Sequence, residues 1–295
     1  MRSEAVALAS TRTRAADFLA LAKPRLNLLV VASTAAGYAM ADGDSLGPVR
    51  VIGMLLGTGL VAGGASAFNQ VVERDADALM RRTRMRPLPD QRLLAAEGIV
   101  FGAAISLTGL LMLAASANLL AASVALATLL SYVVVYTPLK RRSSFATVIG
   151  AIPGALPPVI GWAASRGALS SEAWVLFGIM FLWQLPHFLA IAWIFREDYA
   201  RAGFPMLPVI EPDGLSTGHQ SIAYAAALVP LSLAPTLIGL AGRLYFAGAL
   251  TLGLAFLYLT FRFARTRSVR DARLLFFGSI IYLPILWIVM IANKL

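Results

Sequence analysis

The sequence predicts an all-α polytopic membrane protein with nine transmembrane helices, and three observations carry that prediction. The chain of 295 residues is 59% hydrophobic and 14% charged, with a mean hydropathy of +0.75, outside the composition of a water-soluble globule. It divides into apolar stretches of about 20 residues, the length that carries a helix across a bilayer core. Its Lys and Arg residues collect in alternate connections between those stretches.

The expected spans are 25–42, 50–70, 93–115, 118–136, 145–164, 173–195, 219–240, 244–261 and 274–292. No alternating polar and apolar ten-residue segments occur, so an outer-membrane barrel is not expected. Residues 1–22 keep polar and charged side chains up to the first span, unlike a cleaved leader, and are expected to be a cytoplasmic segment of a single domain covering 1–295. With the N-terminus inside, Arg2, Arg12, Arg14, Lys23 and Arg25 share one side with the basic residues of 74–92, 140–142, 196–201 and 262–273. Only Arg50, Arg166, Arg243 and Lys294 fall opposite. That asymmetry orients the chain, and a bacterial inner membrane is the expected location. The net charge of +10 is then the signature of a face lying on anionic lipid, and no nucleic-acid partner is expected. With no Cys, disulfides, thiolate metal sites and Cys nucleophiles are excluded.

One stretch breaks the apolar pattern: NQVVERDADALMRRT, residues 69–83. If the second helix continues through it, Asn69, Glu73 and Asp77 recur every four residues and share one face. Side chains at that spacing are about 5–6 Å apart at Cβ. Oxygen donors so placed suit Mg²⁺, which takes few protein carboxylates and keeps positions for water and phosphate. Arg82 and Arg86 follow, again four apart, and guanidinium groups bind phosphate oxygens in pairs. Carboxylates and arginines at a membrane surface can also simply pair with each other.

Two further clusters lie on the same side. In YTPLKRRSS, Tyr136 is expected to end the fourth span, Pro138 to stop that helix, and Lys140 and Arg141 to reach an anion, although KRR after a span is also a plain topology signal. In FREDYARAGF, Glu197, Asp198 and Tyr199 stand near the end of the sixth span. Within that span lies His187, just after Pro186; an ionisable group there marks either a functional site facing the bundle interior or an interhelical hydrogen bond. The small-residue runs GGASAFN and IGAIPGALPPVIGW are expected to pack helices closely.

The stretch NQVVERDADALMRRTRMRPLP resembles the first acid-rich signature of the UbiA intramembrane prenyltransferases, NDxxDxxxDxxxxRTxxRP. Within that superfamily, YTPLKRRSSFATVIGAIPGALPPVIGW and PHF…REDYARAGFPMLPV are similar to the haem-farnesylating branch, and the likeness runs from Lys23-Pro24-Arg25 to Pro208. The resemblance implies nine helices around a central cavity with a lateral opening. It implies transfer of a farnesyl group from farnesyl diphosphate, held through Mg²⁺ at the inner rim, to a vinyl group of haem b, giving haem O. By the same resemblance Asn69, Glu73, Asp77 and Asp198 are the catalytic, metal-holding residues, and Arg82, Arg86, Lys140, Arg141 and Tyr136 bind diphosphate. His187 is the candidate haem contact, and a docked haem A synthase remains an open partner. Two departures stand out. Glu73 replaces the commoner Asp, and Phe195 and Tyr199 occupy the places of a second acid pair, which tilts the acceptor toward haem. Prenyl transfer to a quinone or chlorin precursor is the alternative within the chemistry. A transporter or lipid-binding protein is the alternative outside it, and acids at the ends of spans argue against that.

Overall fold

A computed structural model describes residues 13–41 and 46–295, so residues 1–12, with Arg2 and Arg12 of the charge count, and residue 42 of the first expected span lie outside the described residues. Among the described residues every extended element is a helix: α1 (Arg14–Ala22), α2 (Pro24–Met40), α3 (Pro48–Leu79), α4 (Ala95–Ser116), α5 (Leu119–Leu139), α6 (Ala146–Arg166), α7 (Ser171–Ile194), α8 (Arg196–Arg201), α9 (Leu207–Ile210), α10 (Leu215–Leu237), α11 (Arg243–Thr266) and α12 (Val269–Ala292). Eight of these are long and apolar enough to cross a membrane, and α1 with α2, bent by 42°, makes a ninth if the pair counts as one span. The protein is thus an all-α, multi-pass membrane protein.

The bend falls at Lys23, which adopts a left-handed backbone (φ 46°) just before Pro24. Proline starts a helix well but cannot continue one from α1, so the chain turns there. α3 is the longest element. Its 32 residues span about 48 Å at about 1.5 Å per residue, more than the roughly 30 Å of a hydrocarbon core. One end must therefore project to the membrane rim, and that end carries Glu73 and Asp77.

Pro138 does not stop the fourth span. Residues Ser131–Tyr136 form a π turn, and the Thr137 amide reaches back to the Tyr132 carbonyl. The wider turn relieves the clash of a proline ring with the carbonyl four residues earlier and leaves slack for its missing N–H. The helix then continues to Leu139, with the Lys140 amide on the Tyr136 carbonyl at 3.0 Å.

Lipid offers no hydrophobic drive to bring helices together, so close fit must do it. The small-residue runs provide that fit. A Cβ on Gly161 of α6 would lie 1.9 Å from the Thr34 carbonyl oxygen of α2, and one on Gly37 would lie 1.9 Å from that of Pro158. The spans close into a ring in which α12 meets α2 only lightly. One end of the ring carries the connections 80–94, 140–145 and 195–214. The other is tied by Arg50 to the Ser116 carbonyl (2.9 Å) and by the Gly242 amide to the Asn293 carbonyl (2.8 Å).

Candidate active site

Because α3 runs unbroken to Leu79, Asn69, Glu73 and Asp77 do share one face, and all three are buried. Each meets a partner from elsewhere in the chain. Lys140 Nζ lies 3.1 Å from both Glu73 carboxylate oxygens. Arg86 Nη1 donates to Asp77 Oδ2 at 2.6 Å. Asn69 Nδ2 donates to Thr137 Oγ1 at 3.3 Å. Burial works to lower the pKa of Lys140, but Tyr136, Glu73 and Tyr199 around it outweigh that and hold the ammonium above its ordinary value. The aromatic faces of Phe204 (4.9 Å) and Tyr199 (5.9 Å) add to its cradle.

The loop after α3 is held from across the bundle. Asp198 Oδ1 accepts from the Arg81 amide (3.2 Å) and from Arg201 Nη1 (3.0 Å), and Oδ2 accepts from the Arg82 amide (3.3 Å). Inside the loop, Thr83 Oγ1 donates to the Asp77 carbonyl at 2.8 Å. These contacts set where Arg86 stands. Both Asp198 oxygens accept from amides of the loop, so its carboxylate clamps the loop in place.

The expected residues therefore separate into groups. Asn69, Glu73, Asp77, Arg86 and Lys140 gather in one buried, internally paired cluster, the carboxylate pocket. Tyr136 borders it, its ring packed over Gly150, where a Cβ would lie 2.5 Å away. Arg141 is exposed, and its side chain makes no ion pair or hydrogen bond among the described residues. Arg82 turns the other way, its guanidinium 4.9 Å over the Phe195 ring. Sequence reasoning missed Lys23 and Thr137. Lys23 lies within electrostatic reach of Glu73, Asp77, Arg86 and Lys140. The only signal for it was the K-P-R triplet, read as part of the topology bias.

A divalent cation fits this pocket on one specific observation: Asp77 Oδ1 is buried with no hydrogen-bond partner. An orphaned carboxylate oxygen is costly unless something positive meets it. Asn69 and Glu73 stand on the same face with further oxygen atoms. Among the described residues no three His, Asp or Glu side chains form a cage of their own. Mg²⁺ takes few protein carboxylates and leaves much of its shell to water and substrate oxygens.

Beside the pocket a second space opens at the light seam between α2 and α12, a cavity of about 710 Å³ walled also by α7. Arg25, Arg82 and Arg273 stand among its lining residues, with His187, Leu29 and Phe276 below them. The His187 ring is stacked between Trp183 (5.4 Å) and Phe276 (5.0 Å), and its Nδ1 is 2.6 Å from Ser279 Oγ. The single Ser279 hydroxyl proton is given to the Phe276 carbonyl at 2.6 Å, so Oγ accepts from Nδ1–H. The imidazole is thereby fixed with an unprotonated Nε2.

A helical ring that gathers carboxylates and cations at one end and opens sideways toward lipid is the architecture of a membrane-embedded prenyltransferase. Comparison with known proteins makes the assignment definite. The profile of the UbiA prenyltransferase family matches residues 30–281, and the chain belongs to that family. It is 46% identical over 287 residues to the protoheme IX farnesyltransferase of Solibacter usitatus (strain Ellin6076), covering 94% of this chain and 98% of that one. It is 42% identical to the protein of the same name from Koribacter versatilis (strain Ellin345), covering 94% and 93%. Among solved structures, a UbiA homologue from Archaeoglobus fulgidus bound to GPP and Mg²⁺ superposes with a TM-score of 0.67 at 18% identity, over 94% of this chain and 99% of that chain. A digeranylgeranylglyceryl phosphate synthase superposes with a TM-score of 0.77 at 16% identity, over 94% and 97%. These two share the fold.

Proposed function

We propose that this prenyltransferase moves a farnesyl group from farnesyl diphosphate to a vinyl group of protohaem IX, giving haem O. The curated relatives' shared name supports the haem acceptor. The observation that carries the donor half is the unpartnered, buried Asp77 Oδ1 set between the Arg86 and Lys140 ion pairs. That arrangement offers a metal diphosphate both an open oxygen ligand and two cations that can transfer from carboxylate to phosphate.

Asn69, Glu73 and Asp77 are the residues that would hold Mg²⁺, whose chemistry is to stabilise the charge that builds on departing diphosphate. Arg86 and Lys140 bind diphosphate oxygens directly, bordered by Tyr136, while Asp198 keeps the arginine loop in place. The allylic C–O bond breaks with its electron pair leaving on diphosphate. The vinyl π pair then forms the new C–C bond, and the carbon next to the ring takes up water and releases a proton. Apolar walls keep water from reaching the allylic centre first and strengthen each ionic contact at the rim. His187 is the proposed haem contact. The whole chain, 1–295, acts as one domain in a bacterial inner membrane, N-terminus and carboxylate pocket on the cytoplasmic side. An acceptor and product this apolar stay in the bilayer, where a haem A synthase would receive the product.

The test is to incubate membranes holding the protein with farnesyl diphosphate, haem b and Mg²⁺ and to analyse the haem by mass. A heavier haem carrying farnesyl and one water is expected. Unchanged haem, with farnesyl transferred only to an added aromatic quinone precursor and diphosphate released, would overturn the haem assignment.

A further inference from the structure

We propose that the groove between α2, α7 and α12 receives haem from the bilayer, with Arg25 and Arg273 holding its two propionates and His187 Nε2 binding its iron. This rests on the haem acceptor reading above.

The argument starts from unmatched charge. Arg25 lies in the first turn of α2 and Arg273 in the second turn of α12, on facing walls of the groove and at its charged end. Neither side chain makes an ion pair or hydrogen bond among the described residues, and unlike other unpaired arginines at that end, such as Arg141, these two line an apolar cavity. Guanidinium groups are fork-shaped donors built for carboxylate or phosphate. Two of them left open above an apolar slot call for an amphiphile with two anionic groups along one edge.

The floor of the slot narrows the choice to a metalloporphyrin. His187 sits seven residues before the end of α7, about 10 Å deeper at about 1.5 Å per residue. That depth is comparable to the reach from the centre of a porphyrin to its carboxylates. The Ser279 hydrogen bond presents an Nε2 lone pair, and Trp183 and Phe276 hold the ring plane, which is how a protein prepares an imidazole for a metal. A lipid phosphate has one anionic group and no use for that lone pair. The cavity of about 710 Å³ lies within the size of sites that enclose a cofactor-sized ligand, roughly 300–1,000 Å³.

The pose has a further implication. Propionates at the mouth put the vinyl edge at the deep end, away from the Glu73 and Asp77 pocket. The groove is thus a reception seat, and the porphyrin must turn edge-on toward α3 before transfer. Arg82, which lines the groove, is placed to accompany that turn.

The experiment is a haem b titration of the full-length protein in zwitterionic nanodiscs, followed by Soret absorbance. Arg25→Gln and Arg273→Gln are each expected to weaken binding about tenfold, the scale of one lost charge-assisted hydrogen bond. The wild-type protein, whose folding is not in question, should show a comparable loss with haem dimethyl ester. His187→Ala should shift the Soret band, and added imidazole should restore it. If wild-type protein binds and farnesylates haem while the ester, both arginine variants and His187→Ala all titrate as wild type, the groove is not the seat. If the arginine variants lose only retained anionic phospholipid, it is a lipid site and the proposal falls. Failure of wild-type protein to bind or modify haem at all would instead overturn the acceptor reading itself.

Discussion

The carboxylate pocket and the side groove lie at the same end of one bundle and treat charge in opposite ways. In the pocket, Glu73 faces Lys140 and Asp77 faces Arg86, so on the proposed reading a metal diphosphate would have to exchange partners to enter. In the groove, Arg25 and Arg273 have nothing to give up. The difference teaches that buried charge is neutralised internally, as the Lys140–Glu73 and Arg86–Asp77 pairs are. Charge at a lipid-facing mouth, by contrast, can wait open because water and headgroups solvate it.

The strongest way to break this comparison is Asp77→Asn, which removes the orphaned oxygen's charge. It should lower kcat about a thousandfold at saturating Mg²⁺ and farnesyl diphosphate, the scale of losing a principal electrostatic contact to the reacting charge. Haem titration in the groove should be unaffected, and retained turnover would reduce the pocket to a structural ion pair. Next in size is Lys140→Met, which leaves Glu73 buried without its cation and should cost about 3 kcal/mol of stability, seen as a lower unfolding midpoint in detergent. The exposed neighbour provides the contrast: Arg141→Met should stay within about 0.5 kcal/mol. Equal effects at 140 and 141 would erase the distinction between pocket and surface. Gly161→Ala should cost about 2 kcal/mol by forcing α6 off the Thr34 carbonyl, read by the same unfolding measurement. Among the variants expected to do harm, the mildest is Asp198→Asn. Weakening the clamp on the loop should raise KM for farnesyl diphosphate about tenfold with kcat little changed, a loss of uniform binding.

The row Asn69, Glu73, Asp77 was legible because helical spacing alone decides that residues four apart share a face. The spans were legible for a similar reason, since bilayer thickness sets a length that any apolar run reveals: eight are plain, and the first is the bent pair α1 and α2. The clamp made by Asp198 was not legible: the amides of Arg81 and Arg82 that it accepts from lie more than a hundred residues away, beyond any local pattern. Arg25 and Arg273 were hidden differently. Inner-leaflet topology supplies arginines at every helix end, so two with a particular task look like the rest. Pro138 misled because its usual effect assumes an α register, and the π turn before it changes the register. Lys23 was masked by the bend it creates, since only the folded chain turns it toward Glu73.

The light seam between α2 and α12 bears on how the protein is handled outside its membrane. A slot that greasy, once stripped of bilayer, will be filled by whatever alkyl tail surrounds it. Detergent chain length should therefore behave as a competitive variable in assays, with turnover falling as longer tails lodge there and recovering on return to lipid discs.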